Sequence, residues 1–155
     1  MYEKLYENLH SSLTVFAQGI IEDRKLLNPE VPLEFIDWEA HANIHELPDT
    51  DLIGLTALTV TEDSAHMFQG SFTLGASSFS SDKNLFRLRN YVGKAFSCMR
   101  SECKIPFYDA EACTMVGWLY IVDGTTIMPM TRADARPLQF IQAGFIFEAI
   151  TAAGG

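Results

Sequence analysis

The chain has 155 residues and a mass of 17.3 kDa, which suits one domain with one sizeable core and excludes a multidomain enzyme. Apolar types make up 48% and charged types 20%, too hydrophobic and too evenly mixed for a disordered chain. Eleven basic against twenty acidic side chains leave a net charge of −9 and a pI near 4.8, which argues against a phosphate backbone or an anionic membrane surface as the main partner.

The first predicted element covers residues 2–27. Tyr2, Leu5, Tyr6, Leu9, Leu13, Phe16, Ala17, Ile20 and Ile21 recur at steps of three and four, and Asn28-Pro29 ends the helix because the ring removes a donor and restricts the preceding residue. Leu33 to Trp38 is a short extended candidate, and residues 39–51, with His41, His45 and Pro48, read as a loop. Residues 52–60 favour a strand, and in 68–76 Phe68, Gly70, Phe72, Leu74 and Ala76 alternate with polar or small residues. That period of two puts one face in a core. The polar stretch Thr61–His66 between them predicts a hairpin.

Leu85, Leu88, Val92, Ala95, Phe96 and Met99 then mark a second helix, with Ser80, Ser81 or Asp82 as its N-cap and its bases largely on the other side. Ile105–Tyr108 is a loop or edge segment. Met115–Val122 reads as a buried strand stopped by Asp123-Gly124, and Thr125–Met130 as a short strand that Pro129 confines to an edge. After a polar loop, Thr131–Pro137, the stretch Leu138–Ile150 alternates again. The elements sum to a single α+β domain over residues 1–150, an antiparallel or mixed sheet with two helices packed on one face and an extended β-hairpin, followed by a frayed tail at 151–155.

Charge is distributed unevenly along this plan. Residues 1–63 hold thirteen carboxylates against Lys4, Arg24 and Lys25, a net of −10; residues 82–104 hold Lys83, Arg87, Arg89, Lys94, Arg100 and Lys104 against Asp82 and Glu102, a net of +4. The basic stretch has a bland reading as the solvated face of one helix. With Tyr91 it could also suggest nucleic-acid binding, but a local excess of four on an acidic chain does not dominate at a Debye length of about 8 Å. A structural or interaction face is the stronger reading.

Motifs that carry chemistry are scarce. His41 and His45 are four apart, yet Ala42 stands where a zinc protease needs glutamate, and the local sequence lacks helical periodicity. Cys98, Cys103 and Cys113 match no zinc knuckle and, being odd in number, cannot all pair; buried reduced thiols are expected. Gly75-Ala76-Ser77-Ser78-Phe79 lacks the second glycine of a nucleophile elbow, and no phosphate-binding loop occurs. Asp37/Glu39 and Asp49/Asp51 have the alternate spacing of solvated edges and loops. The expectation is therefore no catalytic residue, no cofactor and no metal. The opening Met1-Tyr2-Glu3-Lys4 has no basic region leading into an apolar run, so no export signal is expected, and no apolar stretch reaches membrane-spanning length.

The order of elements, from a long amphipathic N-terminal helix through a short strand, the hairpin Leu52–Ala76 and a helix of about six turns (Asp82–Cys103) to a terminal strand Leu138–Ile150 after an Arg-Pro-containing loop, resembles the tail terminator proteins of long-tailed bacteriophages. Head-completion and neck proteins share much of that layout. The resemblance implies a virion component made in the host cytoplasm, a homo-oligomeric, hexameric ring that caps the tail tube and joins it to the head. Its implied partners are further copies of itself, the tail tube protein and a head-completion or neck protein, with DNA passing through the lumen without specific binding and with no membrane partner. A subunit interface would then use Lys83, Arg87, Arg89, Lys94 and Arg100 against a neighbour's acidic surface. The competing class is a small cytoplasmic enzyme or ligand-binding domain, with a site between sheet and helices using His41, His45 or Cys113.

Overall fold

The structure, a computed structural model, describes residues 2–40, 47–79, 82–133 and 136–149. A 3-10 turn, Tyr2–Lys4, leads into helix α1, Leu5–Arg24, whose Leu5, Leu9, Leu13, Ala17, Ile20 and Ile21 are buried as the spacing predicts. Strand β1 (Leu33–Asp37) precedes the long hairpin of β2 (Asp51–Ser64) and β3 (Met67–Ser77). Helix α2 (Phe86–Cys98) follows, then β4 (Lys104–Asp109), β5 (Thr114–Ile121), the two-residue β6 (Thr126–Ile127), β7 (Thr131–Ala133) and β8 (Arg136–Glu148).

These strands form one curled mixed sheet in the order β1-β2-β3-β8-β5-β4, with β6 and β7 also pairing β8. Only the β1–β2 pair is parallel among the described pairings, so the sheet is mixed. Both helices cover one face and share a single core, in which Leu9, Leu13, Leu88 and Tyr91 meet Phe72, Phe107, Phe145 and Phe147. β8 alternates cleanly: Ile141, Ala143, Phe145 and Phe147 are buried, and Gln142, Ile146 and Glu148 are exposed, the pattern of a strand with one face in the core.

Four predicted boundaries move. The hairpin turn is Ala65-His66 alone, with His66 at φ +68, and the strands continue through the polar residues read as a turn. α2 is about three-fifths of the predicted length. Asn84 and Leu85 adopt left-handed backbone at φ +58 and +57 before it, and Met99 leaves the helix after it. The loop Thr131–Pro137 contains β7, and β5 is only partly buried. The tail at 151–155 lies outside the described residues.

The two long edges of the sheet are finished differently. On β4, Pro106 offers no donor, the Tyr108 amide donates to Ser12 Oγ at 2.9 Å and the Ala110 amide to Asn8 Oδ1 at 3.0 Å. The buried polar side chains of α1 thus close that edge. On β2, pairing with β1 stops at Leu55; the Ala57 amide donates to Glu39 Oε1, and beyond it no described strand lies alongside.

Candidate subunit interface

α2 begins where Asp82 takes hold of it. Asp82 Oδ1 accepts from the Arg87 amide at 2.8 Å and Oδ2 from the Leu88 amide at 2.9 Å, satisfying two donors that a helix start leaves unpaired. Of the three capping candidates Asp82 is the one described; Ser80 and Ser81 lie outside the described residues. Leu88, Tyr91, Val92 and Ala95 point into the core, and the five basic residues assigned to an interface fall in three different environments.

Lys83 and Arg89 are exposed at the N-terminal end of α2. Arg89 Nη1 donates to the Asn84 carbonyl at 2.9 Å, and neither residue has a carboxylate partner among the described residues. With Asn84, Asn90 and Phe86, which is 63% exposed, they line a depression of about 460 Å³. Lys94 is half-buried and sits 3.4 Å from Asp23 of α1, so its charge is used within the chain. Arg100 is exposed beyond the end of the helix.

Arg87 does not belong on a rim. It is 5% exposed and forms a two-pronged pair with the fully buried Asp51, Nε to Oδ2 at 2.7 Å and Nη2 to Oδ1 at 3.2 Å. Its Nη2 also reaches the Phe79 carbonyl, and Asp51 additionally accepts from the Phe79 amide at 2.7 Å and from the Tyr91 hydroxyl at 2.5 Å. The hydrogen bond to Asp51 raises the Arg87 pKa although burial opposes it. Burial, then the bond to Asp51, pushes the Tyr91 phenol far above its ordinary range. Tyr91 is therefore a core residue and offers no stacking face to a nucleic acid.

Arg136, which sequence reading passed over, extends the same end of the sheet. Its Nε donates to Ser77 Oγ at 2.7 Å, Nη1 to the Pro48 carbonyl at 3.0 Å and Nη2 to the Thr50 carbonyl, while Ser77 Oγ donates to the Pro137 carbonyl at 2.8 Å. Burial lowers its pKa against the opposing charges of Asp51 and Asp49. These bonds hold the starts of β2, α2 and β8 together, a structural use of charge.

The alternative site between helices and sheet exists as a cleft of about 350 Å³ at α1, α2 and β4, walled by Val15, Phe16, Ile20, Cys98 and Tyr108 with the Asp23–Lys94 pair at one side. Its charged groups are already paired with one another. Cys113 lines a neighbouring depression and is exposed at φ +56, while Cys98 and Cys103 are half-buried; all three are free thiols, so the expected burial does not hold. No three His, Cys, Asp or Glu among the described residues cluster as metal ligands, and His41 and His45 lie outside the described residues. No described helix is long and apolar enough to cross a membrane. No protein-family model matches the chain, and no curated protein matches it in sequence.

Proposed function

We propose that the chain is a structural ring subunit of the tail-terminator or neck kind, six copies of which cap a phage tail tube and join it to the head. The observation that carries the reading is the layout: a long N-terminal helix, a short strand, an extended hairpin, a second helix and a long terminal strand in one α+β domain. Exposed bases at one end of α2 and an acidic N-terminal half give a subunit two unlike surfaces, as a closed head-to-tail ring requires. A net charge of −9 is compatible with a lumen that lets DNA pass without holding it.

Light scattering or native mass spectrometry on the purified chain tests the assembly, and co-sedimentation with tail tubes tests the partner. The expected species is about six times the 17.3 kDa protomer, either in free solution or on tubes. A protein that stays monomeric and never associates with tubes overturns the proposal.

A further inference from the structure

We infer that the hairpin tip of one copy, with Glu62 and Asp63, docks on the Lys83–Phe86–Arg89 pole of a second copy, head to tail. The inference rests on the ring reading above and names the surfaces that would close the ring. Both surfaces are exposed, and none of these four charges has an ion-pair partner among the described residues.

Geometry forbids the two surfaces from meeting within one chain. Arg87, at the start of α2, is fixed to Asp51, the first residue of β2, whereas Glu62 and Asp63 lie at the far end of the same strand. Twelve residues of extended chain at about 3.3 Å each set an upper bound of about 40 Å between the poles, shortened by the bulges at Thr56–Thr59 and Glu62–Ser64 but well beyond one Debye length at physiological salt. A molecule with complementary, unsatisfied charge at opposite ends associates head to tail, and such contacts close into rings or run on as filaments.

The surfaces also offer an apolar anchor and open backbone groups. The basic pole is a depression of about 460 Å³ with the exposed ring of Phe86 in its wall, and an exposed aromatic flanked by cations is a common anchor of protein contacts. β8 runs beside β3 as far as Met67 and the Ala149 amide donates to the His66 carbonyl, so the tip is open on its β2 side, where the outer edge past Ala57 keeps backbone groups free for a partner. Thr59 and Thr61 continue the exposed edge beside the acids without adding charge of the wrong sign.

Two charge-reversed proteins test the contact. The tip variant carries Glu62→Lys and Asp63→Lys; the pole variant carries Lys83→Glu and Arg89→Glu. Sedimentation velocity at about 0.1 M salt, where the Debye length is about 10 Å, should show wild type assembled and each variant alone at least tenfold weaker in self-association. An equimolar mixture should assemble again, because reversed tips then face reversed poles and wild-type tips face wild-type poles, an alternation that closes in an even-numbered ring. Circular dichroism should show both variants folded. If both variants assemble like wild type, or the mixture fails to recover, the contact is overturned while the ring reading stands. A wild-type chain that remains monomeric overturns the contact as a property of the free protein, and co-sedimentation with tubes then decides the ring reading separately.

Discussion

Asp51 accepts four hydrogen bonds while fully buried, from Arg87 Nε, Arg87 Nη2, the Tyr91 hydroxyl and the Phe79 amide. A buried ion pair is weak evidence of net stabilisation against an apolar replacement, but removing one partner strands the other. Asp51→Ala should therefore cost about 3–5 kcal/mol in urea denaturation. Arg87→Glu should prevent folding outright, since it would set a third carboxylate against Asp51 and Asp82; the exposed Arg89→Glu should change stability by less than about 0.5 kcal/mol. Tyr91→Phe removes one bond to a carboxylate, about 1.5–3 kcal/mol at neutral pH. Its pH dependence has a definite sign. The folded chain holds the phenolic proton well above the unfolded value of 10.0, so the unfolded state binds fewer protons above that pH and stability falls as pH rises further. The phenylalanine variant should show a shallower alkaline loss in melting temperature, and an unchanged slope would mean that Tyr91 is not held protonated by its burial.

At the scale of elements, the strands were the legible part. The alternation in 138–150 predicts β8 and the apolar stripe of 2–27 predicts α1, because one-sided burial writes its period directly into residue type; the alternation in 68–76 also predicts β3 as a strand, but Phe72–Ser77 are buried on both faces, with Trp38 and Phe140 against Gly75 on the side read as polar. The start of α2 was illegible: Leu85 fits the apolar period yet adopts left-handed backbone, a choice set by the Asp82 cap and the anchored Phe79 rather than by its side chain. The Arg87 environment had a faint signal. It precedes Tyr91 by one turn and so borders the buried stripe, and Asp51 opens an otherwise apolar run, but their contact spans 36 residues and no local pattern encodes it. Gly54 carries another such signal, a glycine inside an apolar strand. A Cβ there would stand 1.6 Å from the Ile36 carbonyl oxygen, so the parallel β1–β2 pair closes only over glycine. Gly54→Ala should destabilise by about 1–3 kcal/mol, with amide exchange rising first in Leu33–Asp37; a neutral outcome would show β1 free to move away.

The whole molecule separates its two kinds of charge. The Asp51–Arg87 pair lies inside, out of reach of dissolved ions, and with the half-buried Arg136 it fixes how β2, α2 and β8 begin. Glu62, Asp63, Lys83 and Arg89 lie outside at opposite ends of a strand, where salt screens them. Fold and assembly should then respond to salt in different ways. Between about 0.05 and 0.5 M sodium chloride the melting temperature of the dissociated chain should hardly move, because a buried pair is little screened, while self-association should weaken progressively as the Debye length shrinks to a few ångströms. Light scattering and circular dichroism on the same salt series separate the two effects. Assembly that strengthens with salt would instead identify an apolar contact, and the exposed Val15 with the half-buried Tyr108 beside the α1–β4 cleft would then be the surface that brings copies together.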